Sequence, residues 1–159
     1  MSFTVEHKLL TMVMIKKEDE VLLIKRPPQH GFPGYIAPGG KVDFPESIVD
    51  GAIREVKEET GLTIKKIEYK GLDEFCDTST GLRYMVFNYL ATECEGELLT
   101  NPPEGQLEWV KISEIDKLPM QDWFRKRFPL FFIDGTFELS VNWNSKTNTT
   151  LNEVKKEYT

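Results

Sequence analysis

The sequence has few cysteines and no long apolar segment. Its two cysteines, Cys76 and Cys94, form no CxxC pair and have no further ligands at zinc spacing, which argues against a disulfide framework and a zinc site. No segment approaches the roughly 20 apolar residues of a membrane-spanning helix, and the N-terminal segment has no basic leader followed by a sustained apolar run. We therefore expect a cytoplasmic protein without membrane contact.

Basic residues are also scarce relative to acidic ones. The chain has 26 acidic and 20 basic residues and a formal charge of −6, which opposes long-range attraction to the phosphates of nucleic acids. Only residues 125–127 concentrate positive charge, so we expect no stable nucleic-acid binding. Any polyanionic substrate would therefore need local cations, and bound metal supplies them most simply.

Hydrophobic residues, by contrast, are sufficient for one core. They make up 40% of the 159 residues, and a chain of this length suits one ordinary domain. No internal repeat, linker or low-complexity segment divides the sequence. We predict a single domain over residues 1–159.

Alternating and β-branched runs predict that the middle of the chain is mostly sheet. Short helices are predicted over residues 113–117 and 121–133, and the proline- and glycine-rich segment 26–40 is predicted to be irregular. The predicted fold class is α/β (α+β), a mixed β-sheet with helices packed on it. The predicted strands cover residues 8–15, 21–24, 64–75, 82–92, 107–112 and 137–143, the last of which pairs with residues 151–158.

The clearest helix is predicted over residues 47–60. Apolar residues recur there at helical spacing, as expected for one core-facing side. Ser47 and Asp50 form an S-x-x-D start, and Gly61 supplies the stop.

Three carboxylates share one face of this helix. Each residue advances a helix by about 100°, so Glu58 and Glu59 lie within about 60° of Glu55. Like charges at this spacing destabilise an isolated helix by about 0.2–0.5 kcal/mol per pair, and a divalent cation would offset that repulsion. Oxygen ligands suit Mg²⁺, with Mn²⁺ as a substitute. The simpler interpretation is a solvated charged face.

The surrounding residues favour the metal. The segment GKVDFPESIVDGAIREVKEETGL, which begins at residue 40, fits the pattern G-x5-E-x7-R-E-U-x-E-E-x-G-U at every fixed position, and chance agreement in one register is about one in 10⁸. This pattern resembles the Nudix box, and the resemblance implies an α/β/α sandwich around a mixed sheet. The fixed positions are Gly40, Glu46, Arg54, Glu55, Glu58, Glu59 and Gly61.

The resemblance to Nudix hydrolases implies catalytic roles on the helix. Glu55, Glu58 and Glu59 would bind Mg²⁺, and the carbonyl group of Gly39 would add a ligand. Arg54 would orient the carboxylates, since an arginine can hold a carboxylate with two hydrogen bonds.

Other residues of the box would support these. Glu46 would be hydrogen-bonded to Arg54, although an acid at this place is also favoured by the helix dipole alone. Gly40 and Gly61 would have structural roles. Lys41 follows the double glycine and would meet a phosphate group, or else lie in solvent.

Glu104 and Arg26, outside the box, are further candidates for the site. Glu104 belongs to an EGQ turn before an E-W strand, which resembles the acidic loop of MutT-type Nudix enzymes and implies a metal ligand or general base; the simpler interpretation is a solvated loop acid. Arg26 ends a strand and resembles family residues that contact base or phosphate, or else is an ordinary surface arginine.

Within the superfamily, the sequence resembles the oxidised-purine nucleoside triphosphate hydrolases (8-oxo-dGTP diphosphatase-like) in its PGGK, EGQLEW and KLPMQDWFRKRFPLFF segments. The resemblance implies Mg²⁺-dependent hydrolysis of a nucleoside triphosphate to the monophosphate and pyrophosphate. Trp123 would stack on the base or pack in the core. Relatives often carry an adjacent acidic pair after the tryptophan, whereas here Asp122 precedes it; Asp122 is the candidate base contact.

Several related functions also fit the sequence. ADP-ribose hydrolysis fits less well, because ADP-ribose hydrolases of the superfamily usually carry a proline some way after the box and none occurs here between Pro45 and Pro102. A hydrolase of another nucleoside diphosphate derivative, an RNA 5′-end hydrolase and a non-catalytic nucleotide-binding regulator stay open. The protein is expected to be a monomer or homodimer.

Overall fold

Nine strands form one mixed sheet in residues 4–30 and 33–159, the part of the chain that this computed structural model describes. The described α-helices are α1 (Ile48–Thr60) and α2 (Asp122–Arg127), and 3-10 helices span Pro28–His30, Ile112–Lys117 and Phe128–Phe132. The strands are β1 (Glu6–Lys17), β2 (Glu20–Arg26), β3 (Gly34–Ile36), β4 (Gly39–Lys41), β5 (Thr63–Asp77), β6 (Leu82–Glu95), β7 (Gln106–Lys111), β8 (Thr136–Asn144) and β9 (Thr149–Tyr158).

The strand order places β1 inside the sheet. The order is β3-β2-β1-β6-β5-β8-β9, and β4 and β7 pair with β1 and β2 respectively. The β1–β6 and β5–β8 pairs are parallel, and the other pairs are antiparallel. Residues 12–15 of β1 are a continuous apolar run and are all buried, as expected for a strand covered on both faces.

Alternate residues of β1 point to opposite faces of the sheet, and each set packs against a different helical segment. Helices therefore cover both faces, which confirms the predicted sandwich. One face joins Val13 and Ile15 to Ala52 and Val56 of α1, and the other joins Met12 and Met14 to Phe124 of α2 and Phe128 of the next 3-10 helix.

Helix α1 has the ends predicted for it. The Ser47 hydroxyl accepts a 3.1 Å hydrogen bond from the Asp50 backbone N–H, a cap that contributes about 1 kcal/mol. Gly61 has a φ of 86° and donates its N–H to the Lys57 carbonyl group, a left-handed cap that favours glycine. A Cβ atom at position 61 would also lie 2.5 Å from the Glu97 carbonyl oxygen.

Two local predictions were wrong. The segment 26–40 is not wholly irregular, because β3 and β4 pair with β2 and β1. Residues 121–133 are not one helix: α2 ends at Arg127 and a 3-10 helix follows, since Pro129 has no N–H to continue the α-helical pattern. Residues 31–32 of the first segment, and residues 1–3 of the predicted domain, lie outside the described residues. Within the described ranges no helix is long and apolar enough to cross a membrane.

Candidate functional site

A cleft of about 540 Å³ opens between β4, α1 and α2. Eight of the residues singled out from the sequence line it, so the fold brings together positions from five separate segments. Arg54, Glu58, Glu46, Asp122 and Gly61 do not line it. The eight are Arg26, Gly39, Gly40, Lys41, Glu55, Glu59, Glu104 and Trp123.

Glu59 is the most buried carboxylate of the helix. Its side chain lies against β4, where the Gly39 backbone N–H donates a 3.2 Å hydrogen bond to Oε2. Burial raises the pKa of Glu59 to about 8; the Gly39 hydrogen bond opposes this rise, and the nearby Glu55 and Glu104 carboxylates add to it. Without a cation, this carboxyl group therefore retains a proton at neutral pH.

Glu55 lies beside it at the same end of the cleft. Burial also raises the pKa of Glu55, and the neighbouring Arg54 opposes this rise. A Cβ atom at Gly40 would lie 2.5 Å from the carboxyl carbon of Glu55. Gly40 therefore lies where α1 and β4 approach each other closely at the carboxylates, whereas a Cβ atom at Gly39 would overlap the Thr11 backbone of β1.

Arg54 links α1 to the loop before it. Its guanidinium group donates to both carboxylate oxygens of Glu46, at 3.0 Å from Nε to Oε2 and 2.7 Å from Nη2 to Oε1. The other Nη donates to Glu58 at 3.1 Å and Glu55 at 3.2 Å, and Nη2 also donates to the Lys41 carbonyl group at 2.9 Å. These hydrogen bonds lower the pKa of Glu46. The contacts expected of an orienting arginine are present, and its effect on catalysis remains a prediction.

The donors at this end of the cleft fit a hard divalent cation. Glu55 and Glu59 supply carboxylate oxygens, and burial raises the pKa of both, with mutual repulsion adding to the rise at Glu59. Across residues 4–30 and 33–159, no three or more His, Cys, Asp or Glu side chains already form a metal-binding group. Mg²⁺ usually binds to only one or two carboxylates, with water and substrate phosphates as further ligands, so the pair is a suitable set.

Glu58 differs from the other two glutamates. Its side chain is 58% exposed and its carboxylate contacts Arg54, outside the residues that line the cleft. Its predicted role as a metal ligand would therefore require it to turn away from Arg54.

Glu104 reaches the cleft from the loop before β7. Its Oε2 lies 4.0 Å from Nη2 of Arg26, and its charge contributes to the raised pKa of Glu59. Glycine at position 105 lets this loop pack closely against β2, because a Cβ atom there would overlap the Lys25 carbonyl oxygen. The sequence alone assigns no role to Gly105, although the EGQ turn contains it.

Apolar residues also line the cleft. Trp123 lines it together with Met12, Ile24, Ile36 and Val86. The Trp123 ring contacts Phe75 edge-on, with centroids 6.1 Å apart. An aromatic ring at the wall of an apolar pocket is suited to contact a planar base.

A buried polar network behind this wall was missed from the sequence. Arg127 Nε donates to Asp73 Oδ1 at 2.7 Å, and both side chains are 2% exposed. The Asn88 amide donates to the other Asp73 oxygen at 3.0 Å, and an Arg127 Nη donates to the Trp123 carbonyl group at 3.1 Å. The sequence signal for this network was Asp73, an acidic residue in the interior of the strand predicted over residues 64–75.

Comparison with known proteins is consistent across sequence and structure. The NUDIX domain family profile matches residues 7–131. YvcI of Bacillus subtilis (strain 168), an uncharacterized Nudix hydrolase, is 33% identical over 114 residues, 70% of each chain. YtkD of the same strain, to which 8-oxo-dGTP diphosphatase activity is provisionally assigned, is 49% identical over 115 residues, 72% of this chain but only 58% of YtkD.

A solved structure agrees with these relatives. The crystal structure of the MutT protein from Bacillus halodurans superposes with a TM-score of 0.81 at 32% identity, over 93% of this chain and 97% of that chain. The similarity therefore extends beyond the 7–131 segment that the family profile matches.

Proposed function

Because this chain belongs to the Nudix hydrolase family and is a pyrophosphohydrolase, we propose that it uses Mg²⁺ to hydrolyse a nucleoside triphosphate to the monophosphate and pyrophosphate. One observation carries the proposal: a single cleft of about 540 Å³ is lined both by the Glu55 and Glu59 carboxylates and by Trp123. A nucleotide has the matching polarity, with phosphates at one end and an aromatic base at the other. The volume also lies within the range of roughly 300–1,000 Å³ that small-molecule sites occupy.

Several residues of the cleft would bind the cation. Glu55 and Glu59 would hold the cation, with the Gly39 carbonyl group, Glu58 and Glu104 as further candidate ligands. Bound there, the cation would supply charge neutralisation at the phosphate oxygens and acidify a water molecule. Manganese would serve in place of magnesium because it accepts the same oxygen ligands.

Other side chains of the cleft would orient the substrate and accept a proton. Lys41 and Arg26 line the cleft and would pair with the phosphates. Arg54 would hold the Glu55 side chain in place through the contact described above. Glu104 would accept the proton of the attacking water as general base, while the new P–O bond forms and the phosphoanhydride P–O bond breaks to release pyrophosphate.

We further propose an oxidised purine nucleotide such as 8-oxo-dGTP as substrate. The resemblance to YtkD and MutT supports this, together with the Trp123 wall. Asp122 begins α2 beside Trp123 but is not among the residues that line the cleft, so its predicted base contact would need a change of rotamer. This small-molecule nucleotide is the proposed binding partner of the chain.

Product analysis tests the proposal. The substrates are dGTP, 8-oxo-dGTP, ADP-ribose, a dinucleoside polyphosphate and triphosphorylated RNA, each with Mg²⁺ and with EDTA. We expect metal-dependent release of pyrophosphate from the triphosphates, with higher kcat/KM for 8-oxo-dGTP. Preferred cleavage of ADP-ribose or RNA would overturn the proposed substrate. Nucleotide binding without metal-dependent turnover of any of these substrates would favour a non-catalytic regulator.

A further inference from the structure

Strand β9 (Thr149–Tyr158) forms one edge of the sheet. It pairs with β8, and among residues 4–30 and 33–159 its other side pairs with no strand. Every residue of β9 is exposed, and it lies beyond the segment that the family profile matches. A ten-residue edge presents a row of unpaired backbone N–H and C=O groups that another strand can join.

The side chains of β9 alternate between two faces. Glu153 and Lys155 lie opposite Val141 and Leu139 of β8 and share one face, while Val154 lies opposite Ser140 on the other. Lys155 is 54% exposed and Glu153 is 36% exposed. Within the chain, Glu153 lies 3.9 Å from both Lys126 and Arg127, and Lys155 lies 3.6 Å from Glu157. These contacts are long and partly exposed, and they leave two opposite charges on either side of a small apolar residue.

This E-V-K sequence is complementary to itself in an antiparallel pair. Two copies related by a two-fold axis perpendicular to the sheet keep each face on the same side. One residue of β9 must then lie opposite its own copy, with the axis midway between the two. An axis at Val154 places each Glu153 opposite Lys155 of the second copy, twice, and places Val154 opposite itself. Opposite charges across a strand pair are favourable.

The neighbouring registers place like charges opposite each other. An axis at Glu153 would place that carboxylate opposite its own copy. An axis at Lys155 would place the two ammonium groups opposite each other and Glu153 opposite Glu157. Lysines on an edge strand normally prevent such pairing, but in the Val154 register each Lys155 meets an acid.

We propose that β9 pairs with β9 of a second copy of this chain, in antiparallel register centred on Val154, to form a homodimer with one continuous sheet. The pairing would also shield apolar side chains that the single chain exposes, since Leu151 is 58% and Val154 41% exposed. The catalytic cleft lies on β1, β4, α1 and α2, so each subunit would retain a complete site.

Charge reversal tests the register. Sedimentation equilibrium of the full chain should give twice the monomer mass of 18.4 kDa. Lys155→Glu should weaken the dimer by about tenfold or more because it places acids opposite acids. Glu153→Lys should do the same, and an equimolar mixture of the two variants should form a heterodimer, because both pairs between positions 153 and 155 then join opposite charges.

Two controls separate pairing from folding. Far-UV circular dichroism and metal-dependent hydrolysis by Lys155→Glu should match the wild type, since Lys155 is remote from the cleft. Lys146→Glu, on the turn between β8 and β9, should leave the dimer intact. A wild-type mass of 18.4 kDa at every concentration, or a dimer that Lys155→Glu does not weaken, would overturn the proposal.

Discussion

The backbone N–H of Gly39 donates a hydrogen bond to the Glu59 carboxylate across 3.2 Å. It joins β4 to α1, two elements that are separated in the sequence by a loop. The contact explains why a glutamate on a helix with two acidic neighbours is only 8% exposed. The tight approach of β4 to α1 therefore determines both the position of the carboxylates and their proton affinity.

Replacing Gly40 with alanine tests this approach. The added methyl group would lie 2.5 Å from the Glu55 carboxyl carbon, so the flexible carboxylate must move while the backbone remains in place. We expect Gly40→Ala to lower kcat by about tenfold to a hundredfold with little change in Tm. The contrasting variant is Gly39→Ala, whose methyl group would overlap the Thr11 backbone and should lower Tm as well. Equal activity of Gly40→Ala and wild type would contradict the close packing.

Arg54→Lys tests whether the guanidinium group positions the carboxylates. Lysine keeps the charge but cannot reach Glu46, Glu55 and Glu58 together as the fork does. We expect kcat to fall by about a hundredfold, with unfolding midpoints close to those of the wild type. Arg83→Lys, on β6 away from the cleft, is the matched control and should retain full activity. A rise in KM with kcat unchanged would instead assign Arg54 to substrate binding.

Metal binding should release protons near neutral pH. Burial raises the pKa of Glu59 to about 8 in the metal-free protein, so the group is mostly protonated at pH 7 and a cation must displace that proton. The apparent affinity for Mg²⁺ should therefore rise with pH and level off above about pH 8, by at most about tenfold per unit for one proton.

Calorimetry in two buffers of different ionisation enthalpy measures this release. Glu59→Gln should abolish it, whereas Glu93→Gln, a surface residue paired with Lys66, should not. An affinity for Mg²⁺ that is flat between pH 6 and 8 would show that Glu59 is already ionised.

The buried pair of Asp73 and Arg127 should matter for stability. Both side chains are 2% exposed, so Arg127→Met leaves a buried carboxylate without its partner. We expect the free energy of unfolding to fall by about 3–5 kcal/mol in urea titrations. Lys126 is an exposed neighbour of Arg127, and Lys126→Met should change the free energy of unfolding by less than about 0.5 kcal/mol. Adding Asp73→Asn to Arg127→Met should restore part of the loss; a further loss of similar size would contradict the pairing.

The sequence predicted what depends on nearby residues. Helix α1, its Ser47 cap and its Gly61 end follow from local spacing, and so does the shared face of Glu55, Glu58 and Glu59. The central strands followed from runs of apolar residues, since burial of β1 on both faces requires such a run.

Long-range packing was not predictable in the same way. Asp73 and Arg127 are 54 positions apart, and no local pattern indicates that they form a pair. The burial of Glu59 and the exposure of Glu58 depend on where β4 and Arg54 lie. The break at Pro129 had a local signal, because proline cannot donate the next helical hydrogen bond.

The central claim is that α1 holds the divalent cation that the substrate phosphates share. Paramagnetic broadening of backbone amide signals by Mn²⁺, recorded by NMR with a non-hydrolysable nucleotide present, tests it directly. We predict selective broadening of residues 39–41 and 55–59, and its loss in Glu59→Gln. Unbroadened α1 signals at saturating Mn²⁺, or broadening centred on another part of the fold, would contradict the assignment.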